Sequence, residues 1–143
     1  MVKTQAKKQS KSKGNVPLAH GVGRRKTSVA RAWLRSGKGD VTVNGRDYKQ
    51  YFDTEVARLE AYQSMKVVPK GVHYDVQINV CGGGLQSQAG AVKLAIARAF
   101  VEQNVELKPV LRENGLLTVD SRIKERKKYG QRGARRKFQF VKR

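Results

Sequence analysis

Positive charge in this chain is confined to its two ends. Residues 1–39 hold eleven Lys/Arg and no acid, Asp40 being the first carboxylate, and residues 120–143 hold eleven Lys/Arg against Asp120 and Glu125. The 80 residues between them, 40–119, carry nine basic and nine acidic side chains, so the formal +20 divides as +11, 0 and +9. Such a chain is expected to fold through its balanced middle and to keep its ends as cationic arms, an arrangement suited to gripping a long polyanion. A middle of this size can bury a modest core of marginal stability.

The middle reads as α+β. Across 28–36, Ser28, Ala30, Ala32 and Leu34 fall on one face, and Val29, Arg31, Trp33 and Arg35 on the other. That alternation predicts a strand with a small apolar face and a face of aromatic and guanidinium groups. Gly37–Asp40 is a turn signal before Val41–Val43, so 28–43 is expected to form a hairpin. Asn44-Gly45 signals a further turn. Residues 47–66 predict one or two helices, with Val56, Leu59 and Tyr62–Gln63 inward and Asp53 or Thr54 as a cap. Pro69-Lys70-Gly71 interrupts the chain, and 74–80 predicts a strand with Val76, Ile78 and Val80 inward. Gly82-Gly83-Gly84 opens the strongest helix, about 85–103, striped by Leu85, Ala89, Val92, Ile96 and Phe100 and rich in alanine. Pro109 permits a short helix that Asn114-Gly115 ends. Past Asp120 the apolar period is lost. The expected architecture is a small sheet backed by helices on one side, with extended basic arms at both termini. Residues 1–17 read as a disordered basic extension, 18–119 as a globular RNA-binding body and 120–143 as an extended basic tail.

Several classes of function find no support. The single Cys81 excludes an intrachain disulfide, and with His20 and His73 distant in sequence there is no set of zinc ligands. No cofactor is expected. No apolar run approaches the roughly 20 residues of a spanning helix, and the N-terminus lacks the apolar stretch of a secretory signal. A cytoplasmic setting follows as the expectation. Gly82–Gly84 sits between strand and helix, where phosphates bind in some folds, yet the lysine and hydroxyl of a P-loop and the third glycine of a dinucleotide fingerprint are both missing. A tight turn with close backbone packing is the favoured reading. No nucleophile has a recognisable base, so no enzyme is expected.

The basic segments carry the functional signal. Arg24, Arg25 and Lys26 lie between glycines and Thr27, small neighbours that allow a phosphate to approach the backbone. In the tail, Arg126, Lys127, Lys128, Arg132, Arg135, Arg136 and Lys137 are interleaved with Tyr129, Phe138 and Phe140. Cations there can take phosphates while rings stack on bases. Fully extended, 120–143 spans roughly 80 Å at about 3.3 Å per residue, far beyond a body whose radius of gyration is about 12 Å.

The ordered series of motifs resembles the bacterial-type family of small-subunit ribosomal protein nine. It runs through Gly23–Ala32, Val43-Asn44-Gly45, Tyr51-Phe52, Gly82–Gly84, Gln88–Ala91 and Ile96–Ala99. It ends with Leu116–Thr118, Asp120, Arg122, Glu125–Gly130, Ala134–Arg136 and Gln139-Phe140 before the terminal Lys142-Arg143. The likeness covers about 18–143. It implies a non-enzymatic structural component of the small ribosomal subunit, active in translation, whose body binds the 3′ major domain of the ribosomal RNA in the subunit head beside other head proteins. It further implies a tail that reaches peptidyl-site transfer RNA, with Lys142 and Arg143 at the anticodon-stem backbone. Three positions depart from the usual family pattern: Val141 stands for Ser, Ser87 for Gly and Val119 for Arg. The alternatives are a general nucleic-acid compaction protein, indifferent to DNA or RNA, and an RNA-processing factor using the Gly82–Gly84 turn.

Overall fold

The structure, a computed structural model, describes residues 16–68 and 73–141. The expected disorder of 1–15, the Pro69–Gly71 interruption and the terminal Lys142-Arg143 lie outside the described residues. In chain order the elements are β1 (Ala19–Arg25), β2 (Ser28–Ser36), β3 (Val41–Val43), β4 (Arg46–Asp47), α1 (Tyr48–Tyr51) and α2 (Glu55–Val67). There follow β5 (Tyr74–Cys81), α3 (Leu85–Gln103), a 3-10 turn (Val105–Leu107) and α4 (Lys108–Glu113). The fold is α+β: a five-stranded mixed sheet of order β1-β2-β5-β3-β4, backed by helices. All neighbours are antiparallel except β3 and β5.

Helix α3 is the centre of the core. It lies on the inward faces of β1 and β2 and is covered in turn by α2, so residues 87–92, 94–97, 99 and 100 are all buried. Its alanines therefore do more than favour helix: they let neighbours approach on several sides. Gly21 and Gly23 serve the same end from the sheet. A Cβ on Gly21 would collide with the Ala95 carbonyl, and one on Gly23 with that of Ala91. Phe52, Phe100, Leu34, Ile78 and Ile96 fill the remaining volume; each such side chain contributes about 1.5–3 kcal/mol when fully buried.

Three expectations change. The N-terminal basic segment is partly folded: Gly21 and Gly23 place β1 in the sheet, joined to β2 by a two-residue turn at Lys26-Thr27 with Lys26 at φ 52°. The segment's inward side chains are too small to show an apolar alternation. Six of the eleven Lys/Arg in 1–39 thus belong to the body, which is basic rather than neutral. Second, β2 and β3 do not form a hairpin, because β5 inserts between them. The connecting turn is instead held by Asp75, whose Oδ1 accepts from the Lys38, Gly39 and Asp40 amides at 2.7, 2.9 and 3.1 Å. Third, α2 is rotated from the predicted stripe. Ala57, Ala61 and Ser64 are buried, while Val56 and Leu59 are 66% and 50% exposed. Packing against α3 selects small side chains, and the Ser64 hydroxyl donates to the Lys93 carbonyl at 2.7 Å. Thr54 caps α2 through the Ala57 amide.

The remaining elements match their sequence signals, except that Leu85, expected in the apolar stripe of α3, is 42% exposed because burial on that helix begins at Ser87. Strand β5 buries Val76, Ile78 and Val80, α3 spans Leu85–Gln103 and α4 ends at Asn114. Asn44 at φ 49° and Gly45 at φ 79° turn the chain from β3 to β4. The Asn44 side chain then continues the ladder to β5, accepting from the Val80 amide at 2.9 Å and donating to its carbonyl at 3.0 Å.

Candidate nucleic-acid interface

Strand parity gives Arg24 and Arg25 opposite surroundings. Arg24 shares the helix-free face with His20 and Val22 of β1 and Val29, Arg31, Trp33 and Arg35 of β2. Gln77 and Asn79 of β5 continue that face. The charged ends of Arg24, Lys26 and Arg31 have no hydrogen-bond or ion-pair partner among the described residues. The acid bordering this face is Asp75, opposite Arg35, and its Oδ1 is occupied by the turn amides. Burial pushes its carboxyl up, but those amides outweigh the effect and hold it below the usual carboxylate value.

Arg25 points to the helix side. Its aliphatic stem crosses α3 at Gly90, where a Cβ would strike the Arg25 Cδ. Its guanidinium bridges Glu60 of α2 at 2.8 Å and Asp120, at the root of the tail, at 3.4 Å. Lys93 and Gln86 also bind the Glu60 carboxylate, at 3.2 and 2.7 Å. Asp120 is further clasped by Arg122, from both Nε and the second guanidinium nitrogen. The Arg122 side chain and backbone amide hold the Asp120 carboxyl far below the ordinary carboxylate range. A cleft of about 530 Å³ opens here, lined by Arg24, Arg25, Glu60, Lys93, Asp120 and Arg122. Of the three cations grouped by the sequence, Arg25 is thus part of an internal cluster that fixes where the tail leaves the body.

The described tail, 120–141, has no helix or strand. Glu125 binds Lys128 and, at 2.9 Å, Arg135, and the Lys128 ammonium also donates to the Ala134 carbonyl at 3.0 Å. These contacts fold 125–136 into a loop, with Gly130 at φ 68°. Lys128 first and Arg135 second pull the Glu125 carboxyl below its usual value. Arg132 lies over the Phe138 ring, 5.3 Å from its centroid. Tyr129 and Phe140 are fully exposed. Lys127, Arg136 and Lys137 have no partner for their charged ends among the described residues, whereas Arg126 donates to the Lys127 carbonyl at 3.1 Å.

The glycine run is accounted for by packing. Gly82 and Gly83 have φ of 76° and 64°, and a Cβ on Gly83 would hit the Ser28 hydroxyl. Ser28 donates to the Gly82 carbonyl at 2.9 Å, and Gln88 does so at 3.0 Å. Tyr51 links Gln88 to Asn44, so several of the motif residues form one structural network. Ser87 accepts from the Gly84 amide at 3.1 Å and closes the helix start. Arg31, Trp33 and Arg35 were not among the predicted binding residues, although the alternation across 28–36 already placed them on one face. Among the described residues no group of three His, Cys, Asp or Glu could hold a metal ion, and no helix is long and apolar enough to cross a membrane.

Several proteins similar to this chain carry one name. The chain is 52% identical over 126 residues to "Small ribosomal subunit protein uS9" of Cytophaga hutchinsonii, covering 88% of this chain and 98% of the relative. The protein of the same name from Chlorobium chlorochromatii is 55% identical over 122 residues, 85% of this chain and 95% of the relative. That of Phytoplasma australiense is 50% identical over 123 residues, 86% and 95% of the two. The sequence model described as "Ribosomal protein S9/S16" matches residues 23–143, from β1 through the tail, and the chain belongs to that family.

Proposed function

We propose that this chain is a structural constituent of the small ribosomal subunit, binding its ribosomal RNA in the head with neighbouring head proteins, while its tail reaches peptidyl-site transfer RNA. The observation that carries the reading is the contrast between engaged and free cations. Arg25 is used within the fold, whereas Arg24 and Lys26 on the body, and Lys127, Arg136 and Lys137 on the tail, present unpaired charge. Family membership supports the ribosome as their setting and disfavours both the RNA-processing enzyme and the indiscriminate compaction protein.

The mechanism is electrostatic and geometric. Each cation that meets a phosphate releases condensed counterions, and the folded body sets the register in which the tail is delivered. Arg24 and Lys26 serve as body contacts. Arg126, Lys127, Lys128, Arg132, Arg135, Arg136 and Lys137 serve as tail contacts, with Tyr129 and Phe140 free to stack. Exposed pairs such as Glu125–Arg135 are weak enough for a phosphate to replace. Lys142 and Arg143 end the tail at the transfer RNA backbone.

Titrating a ribosomal RNA head fragment at several salt concentrations tests the first half. About eight duplex phosphate contacts give a log–log slope near −7, at ~0.9 per contact; a slope near zero contradicts the reading. Removing Lys142-Arg143 tests the second half. Subunit assembly should be unchanged and transfer RNA dissociation from the peptidyl site faster; equal dissociation removes the tail-tip role.

A further inference from the structure

We infer that the helix-free face of the sheet is a stacking platform for unpaired RNA nucleotides, centred on Trp33. The inference rests on the RNA-binding reading above and adds a site on the body that reads bases as well as phosphates.

The geometry is a grid. The register aligns His20, Trp33 and Gln77 in one row across β1, β2 and β5. His20 and Trp33 are in ring contact, their centroids 5.4 Å apart and planes inclined by 42°. Two residues away along β2, on either side of Trp33, lie Arg31 and Arg35. That spacing corresponds to about 6.6 Å along a strand. Asn79 is opposite Arg31. A base laid on Trp33 therefore has a second ring beside it, a guanidinium on each side for the flanking phosphates, and the Gln77 and Asn79 amides for its polar edge. Open sheets bind single-stranded RNA by this combination, and a base held inside a duplex cannot be stacked in this way.

Charge complementarity selects RNA over a protein strand or a second copy of this chain. Arg24 and Arg31 are exposed, and their charged ends have no partner among the described residues. Addition of a further strand at β1 is blocked. Glu102 of α3 takes the His20 amide at 2.8 Å, and Arg98 donates to the Val22 carbonyl at 2.7 Å. Such covering side chains blunt an edge strand. The face, rather than the edge, remains open.

Trp33 is the chain's one tryptophan, so its emission reports on this face alone. The full chain is titrated with a short unstructured RNA oligonucleotide and, separately, with inorganic polyphosphate, which has phosphates and no bases. Binding of labelled RNA is followed in parallel by anisotropy. RNA should quench Trp33 saturably, while polyphosphate binds without matching that quench. Arg31→Ala combined with Arg35→Ala should weaken RNA binding about tenfold, and Trp33→Ala more than Trp33→Phe. Circular dichroism confirms that each variant is folded. If RNA binds while Trp33 emission and the affinities of these variants stay unchanged, the platform is overturned and the arms alone bind. Equal quenching by polyphosphate overturns base stacking in particular. A full chain that binds no RNA removes the proposed function and this site with it.

Discussion

The two faces of β1 and β2 share a backbone and differ in almost everything else. Toward α3 they present Gly21, Gly23, Ser28, Ala30 and Ala32, with Leu34 the largest apolar member and Arg25 at the end of β1; away from it they present His20, Arg24, Arg31, Trp33 and Arg35. The inner face is small because a helix backbone lies against it, and the outer face is large because none of the described elements covers it. The difference teaches that residue parity, rather than position along the chain, separates what folds this protein from what its charge can bind. Substitutions on the inner face should be read in stability, and those on the outer face in affinity.

Gly23→Val should have the largest effect. Its side chain enters the space of the Ala91 carbonyl, and thermal or denaturant unfolding should show a loss of about 3 kcal/mol. A loss below half that amount would mean that α3 can shift away from the sheet at little cost. Asn44→Ala should cost about 2 kcal/mol, because it removes both bonds to Val80 and leaves an ordinary side chain at positive φ. Unchanged stability there would show that the β3–β5 ladder needs no extension.

Asp75→Asn sharpens the comparison at the border of the open face. It should cost about 1 kcal/mol at neutral pH, measured by urea unfolding. Because the folded carboxyl is held below its ordinary value, its stabilising effect is complete above the unfolded value of about 3.9 and drains away as pH falls through the folded value. The difference between the parent chain and Asp75→Asn should therefore be constant from pH 5 upward and shrink below about pH 4. A difference that grows on acidification would reverse the assigned sign.

Legibility in the sequence followed the size of the inward side chains. Strand β5 and helix α3 bury Val76, Ile78, Val92 and Phe100 at regular intervals, and their limits were readable. Strand β1 was not, since its inward residues are Ala19, Gly21 and Gly23, whose smallness answers a helix about seventy residues later. The same cause hid the orientation of α2, where Ala57 and Ala61 are buried and the larger Val56 and Leu59 are not. Pairing partners were equally unreadable: the turn at 37–40 looks like a hairpin, whereas β5, from much later in the chain, inserts between β2 and β3 and its Asp75 carboxylate holds the turn. At the candidate site, the basic composition revealed which residue types matter. It could not divide Arg24 from Arg25, because that division depends on Glu60 and Asp120 arriving on one side of the sheet.

Those adjacent arginines supply the most direct test. Affinity of the full chain for a ribosomal RNA head fragment is measured across a salt series for Arg24→Ala and Arg25→Ala, with unfolding followed alongside. Arg24→Ala should make the salt slope shallower by about 0.9 and change stability by less than about 0.5 kcal/mol. Arg25→Ala should leave the slope unchanged and cost about 1–2 kcal/mol, through loss of its contacts with Glu60 and Asp120. Equal slope changes in the two variants, or a change in Arg25→Ala alone, would contradict the division of labour between the two faces.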